Sequence, residues 1–74
     1  MIESKDVAAS VNSKLRNCYQ LLEESIVEVN RTCDEEQAKS YRQKIGSLFT
    51  ILVFDLMEPL YQAHPELKPS DWED

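Results

Sequence analysis

Glycine occurs once and proline three times in 74 residues. That scarcity of turn-formers excludes a fold built from many short strands. It also excludes a glycine-rich phosphate loop, which needs several glycines together. Histidine occurs once and cysteine twice, with no CxxC pair, so a zinc site of the usual spacing is absent. Bases are few as well: eight against fourteen acids, a net charge of −6 and a pI near 4.6. A chain this acidic is a poor match for a nucleic-acid backbone and suits a basic protein surface. No long apolar run is present. The longest, Leu48 to Met57, is interrupted by Asp55 and is about half of the roughly 20 residues a bilayer requires. The opening MIESKDVAAS has neither an apolar stretch nor a basic lead, so no signal peptide is expected. These absences together imply a cytoplasmic protein with no membrane contact.

What is present favours helix. Leu, Glu, Ser, Gln, Lys and Ala make up half of the chain, and most of them are good helix formers. The hydrophobic fraction of 42% is enough for a folded chain. The length allows one small domain, 1–74, and domains of this size usually need oligomerisation, metal or disulfides for stability.

Tyr41 to Tyr61, YRQKIGSLFTILVFDLMEPLY, is the stretch the rest must accommodate. At about 100° per residue, Ile45, Leu48, Phe49, Leu52, Val53, Leu56 and Leu60 share one face. Ile51, Phe54, Met57 and Tyr61 fall opposite. One partner helix covers one face, so the pattern asks for a further partner, most simply a second copy.

A first helix is expected over about 6–31, capped by Ser4 or Asp6. Ala8, Val11, Leu15, Cys18, Leu22, Ser25 and Val29 form a heptad-like seam, widened by Tyr19 and Ile26. The break falls at Asn30 to Asp34. Thr32 with Glu35, or Asp34 with Gln37, reads as a capping box. A second helix follows over about 35–62, with Glu35 and Glu36 at the positive end of its dipole. Folding back near Cys33 brings Glu28 level with Lys39 and Glu24 with Arg42. Gly46, with Ser47 and Thr50, makes a small-residue patch where another helix could approach closely. Pro59 kinks the second helix or starts a new turn. The tail, 63–74, is ended by two prolines and closes on the acidic SDWED, where Trp72 is either disordered or docked.

Chemistry is scarce. His64 reads as an exposed tail histidine. Glu23-Glu24 and Glu35-Glu36 read as solvated faces or a helix cap. Cys18 and Cys33 read as buried free thiols, roughly 20 Å apart on one helix and too far to bridge. No Glu-x-x-His pair of a di-metal bundle exists. Asp55 reads as paired with Lys14 or Arg16 or open to water, with a role in partner registry as the alternative. No catalytic residue, cofactor or metal is expected.

The tail Pro59-Leu60-Tyr61-x-x-His64-Pro65-x-Leu67-Lys68-Pro69 and the entry Tyr41-Arg42-x-x-Ile45-Gly46 are similar to the C-terminal half of small bacterial all-helical proteins of unknown function. That resemblance implies a helical hairpin that pairs with itself, and no catalytic residue.

The fold expected is all-α: an antiparallel helical hairpin that dimerises into a four-helix bundle, with Gly46, Thr50, Ile51, Phe54, Met57 and Tyr61 at the interface. The function expected is non-enzymatic, through protein–protein contact as a regulator, adaptor or chaperone-like subunit. The alternative is an immunity- or antitoxin-like inhibitor of a basic partner. A minimal enzyme or ligand carrier would require a polar cavity lined by Asp55, Cys18 or Tyr19.

Overall fold

Ser4 starts the first helix. Its backbone is extended and its hydroxyl accepts from the Val7 N–H at 3.3 Å, supplying one of the four partners a helix start lacks. The computed structural model describes residues 2–70, and the expectation for SDWED lies outside them from Asp71 onward. Helix α1 runs Lys5–Thr32, uninterrupted by Gly or Pro. Its end is set at Cys33, which is extended while its N–H still donates to the Val29 carbonyl.

Asp34 then restarts the chain. Its carboxylate accepts from the Gln37 N–H at 2.8 Å, so the Asp34–Gln37 alternative caps the second arm. Helix α2 runs Glu35–Thr50. A π-helical segment, Ile51–Met57, continues it, and α3, Glu58–Ala63, completes it. The junction residues Thr50, Ile51, Met57 and Glu58 all keep right-handed helical backbone angles. The second arm is therefore one rod from Glu35 to Ala63, with Pro59 in the first turn of α3, just beyond the π segment. A short 3₁₀ turn, Pro65–Leu67, follows. No strand occurs among the described residues.

The arms pack as a hairpin, α1 against α2 and the π segment. The core is Ala8, Ala38, Ile45, Leu52, Met57, Leu60 and Tyr61. Its densest part is Leu52, Met57 and Tyr61, packed by Leu15, Tyr19, Leu22, Phe49, Val53 and Leu67. The Tyr19 and Phe49 rings meet at 4.8 Å.

This corrects the two-face reading. Met57 and Tyr61, expected on an outward face with Ile51 and Phe54, are buried, while Leu48 and Leu56, expected in the core stripe, are exposed at 44% and 37%. The π segment explains part of the difference. Its i→i+5 turns each hold about one residue more than an α turn, so the helix falls behind the 3.6-residue pattern. The buried residue after Leu52 is accordingly Met57, five positions on, rather than Leu56. Downstream of the lag, Met57, Leu60, Tyr61 and His64 all turn toward α1. Leu48 precedes the segment and is exposed because it lies at the flank of the stripe.

Polar pins set the register. Ser25 donates to the Leu22 carbonyl at 2.7 Å, which leaves its oxygen to accept from the Tyr41 hydroxyl at 2.7 Å. Arg42 donates to Asn30 and to Glu35, each at 2.7 Å. The Glu28–Lys39 and Glu24–Arg42 pairs anticipated from the fold-back are not among the ion pairs of the described residues. Near the open end of the hairpin, Tyr61 donates to Asn12 Oδ1 at 2.5 Å.

Candidate interaction surfaces

The sequence offers no cluster of reactive groups, and the fold brings few together. Among the described residues no three of His, Cys, Asp and Glu converge as metal ligands. Both cysteines are free, and both are exposed rather than buried. Cys18 falls on the flank of α1 that its single partner arm leaves open, and Cys33 caps α1 at the hairpin turn.

His64 is the second correction. It is 8% exposed, not a solvated tail residue. Its Nε2 lies 2.5 Å from the Ile2 carbonyl oxygen and its Nδ1 3.5 Å from Glu66 Oε1. Both neighbours are acceptors, so either ring nitrogen has a partner when it bears a proton. The ring ties the segment before α1 to the turn after α3, closing the open end of the hairpin. The Glu66 carboxyl is held below the usual range, first by its own backbone N–H, against desolvation, and then by His64 and Lys5. Nothing in the sequence around His64-Pro65 points to Ile2, because the contact joins residues 62 positions apart.

Asp55 is exposed, in line with a flank open to water, and no ion pair joins it to Lys14 or Arg16 among the described residues. Tyr61 carries the other perturbed group. Burial pushes its phenol up, opposed by the nearby Arg16 charge.

Two long sides remain, and they differ. One bears a groove of about 810 Å³, lined by Asn12, Ser13, Arg16, Asn17, Tyr19, Gln20, Glu23, Met57 and Pro69. It includes Tyr19 but neither Cys18 nor Asp55. It is a shallow polar trough open to water rather than an enclosed pocket.

The other side is apolar. The Ser25–Tyr41 hydrogen bond fixes which flank of α1 adjoins which flank of α2. Val7, Val11, Lys14, Cys18 and Leu21 precede Ser25 at alternating spacings of four and three, so they share its flank. Leu48 is seven beyond Tyr41, with Ile51 beside it, and the π lag brings Leu56 back into line. Val7, Leu21, Leu48 and Ile51 are 50%, 60%, 44% and 51% exposed. Of the residues proposed from sequence for an interface, only Ile51 belongs to this side. Gly46, Thr50 and Phe54 recur every four residues along a different line, where Phe54 stands out at 60% exposure. Met57 and Tyr61 are internal. Sequence reasoning missed Val7 and Leu21. The signal for them was a second heptad line one position before the core seam.

No helix among the described residues is long and apolar enough to cross a membrane. Compared with known proteins, the chain matches no family model, no curated protein and no solved structure.

Proposed function

We propose that the protein is a non-enzymatic interaction protein of the cytoplasm, a small regulator, adaptor or chaperone-like subunit, and that it works as a homodimeric four-helix bundle. The observation that carries this reading is unfinished burial. The chain exposes 5463 Å², whereas a compact monomer of 8.6 kDa exposes about 4,700 Å². Its radius of gyration is 14.5 Å, against about 11 Å for a compact domain of this length. The excess surface is close to the roughly 800 Å² that each partner contributes to a stable interface. Among the described residues only one large side chain, Leu60, is fully buried, so a lone hairpin has little core to set against chain entropy.

Light scattering across a concentration series tests the reading. A mass twice 8.6 kDa supports it, and a monomer at every concentration sinks it. The net charge of −6 favours one second reading, an inhibitor-like subunit for a basic protein. In that case a basic partner displaces the homodimer and a mixed complex replaces it.

A further inference from the structure

We propose that the second copy seats on the apolar side formed jointly by Val7, Cys18 and Leu21 of α1 and Leu48, Ile51 and Leu56 of the second arm. This rests on the self-association reading and adds to it the face that is buried. Three observations select that face and that occupant.

The first is size. The molecule measures 44 × 19 × 16 Å, so one broad side offers roughly 800 Å², the share one partner contributes to a standard interface. A partner of identical length covers such a side end to end, and a two-fold pairing brings the same patch from both chains together.

The second is pattern. Both arms contribute to the side, and α1 does so at heptad spacing, the geometry by which one helix layer receives the side chains of another. The outward line of Gly46, Thr50 and Phe54 comes from one arm only and holds one large apolar residue. The opposite side is mostly polar, from Asn12 to Glu23, and the exposed Val27 lies one turn beyond.

The third is charge. The α1 line from Val7 to Glu28 carries Lys14 and Glu28 and is neutral in sum, and on the second arm Lys44 is matched by Asp55, four residues after Ile51. A chain of net charge −6 therefore keeps its acid excess away from this side. Two identical acidic chains can meet there without opposing like charge, whereas a basic partner would gain more from the acidic remainder of the surface.

Cys18 reports on the contact without any substitution. It stands near the middle of α1, and Cys33 lies at the hairpin turn, away from the face. Both thiols are exposed in the single chain. In the wild-type protein at concentrations where its mass is that of a dimer, a maleimide should modify Cys18 about tenfold more slowly than Cys33, each rate normalised to that in denaturant. The gap should close on dilution. Equal rates in the dimer overturn the proposal. Leu21→Glu and Leu48→Glu should each give a monomer by light scattering, whereas Phe54→Glu should remain a dimer. If the wild type is dimeric and only Phe54→Glu dissociates it, the face is wrong and self-association stands. If the wild type is monomeric throughout, self-association fails and this face falls with it.

Discussion

At the open end of the hairpin, polar side chains are internal. Tyr61 is 4% exposed, its hydroxyl bound to Asn12, which is also buried. Tyr61→Phe keeps the ring packed against Leu52 and Met57 but strands Asn12 Oδ1. Stranding a buried acceptor costs about 1–3 kcal/mol. Asn12 borders the polar groove, where water can replace the lost donor, so a loss near 1 kcal/mol is expected in urea unfolding. A pH dependence follows from the burial of the same side chain. Burial raises the Tyr61 phenol above its ordinary 10.0, so the folded state favours the protonated form. That contribution is fully present below pH 10 and is lost as pH rises through the folded-state value. Thermal melts should therefore fall more steeply above pH 10 for the wild type than for Tyr61→Phe. Gly46 gives the opposite sign. It lies within α2, and a Cβ placed there meets nothing within 4 Å. The close helix approach expected at this glycine has no counterpart within the chain. Gly46→Ala should stabilise by about 1 kcal/mol, the difference in helix propensity, and should leave a dimer intact, since Gly46 lies off the apolar side.

At the level of elements, the hairpin was legible and the phase of its second arm was not. The uninterrupted seam from Ala8 to Val29 and the capping chemistry at Asp34 are local signals, and local signals are what a sequence displays. α1, Lys5–Thr32, and the second arm from Glu35 to Ala63 end within a residue of the expected bounds. The π segment is different. Reading 100° per residue through Ile51–Met57 assumes an α geometry that the chain abandons there, so Met57 and Tyr61 were assigned outward and Leu56 inward. The spacing itself held the clue: Leu52 to Met57 is five positions, one more than an α stripe uses. A long π stretch in this setting behaves as a one-residue insertion, and that has a testable consequence. Deleting Asp55, which is exposed, should let the segment close into an α-helix while Met57, Leu60, Tyr61 and His64 still face α1. Its melting temperature should stay within a few degrees of the wild type, since the same core is buried. Deleting Ser47, in regular α-helix, rotates everything beyond it by about 100° and should abolish the cooperative transition. A collapse of both variants would show that the π geometry is required in itself.

For the whole molecule, the exposed apolar side was half legible. Sequence reasoning asked for a covering partner, because too many apolar residues crowd one arm. It looked for the partner along that arm alone, since the side shared by both arms exists only once the Ser25–Tyr41 bond sets their relative rotation. The tie from His64 to Ile2 was invisible for the same reason, as it depends on how the two ends meet. Finished burial then has a thermodynamic signature that needs no variant. If folding is completed by a second copy, two unfolded chains form one native dimer, and mass action shifts the balance toward that dimer as concentration rises. Each tenfold increase is worth about 1.4 kcal/mol per dimer. Unfolding two chains of 74 residues releases on the order of 0.3 kcal/mol/K, from about 2 cal/mol/K per residue. The melting midpoint should therefore rise by roughly 5 °C per tenfold, or about 9 °C between ten micromolar and one millimolar. A monomeric hairpin would melt at one temperature throughout. A flat series with a cooperative transition would mean that the 44 Å hairpin holds together on Leu52, Met57, Leu60, Tyr61 and its polar pins alone, with the apolar side left for a different protein.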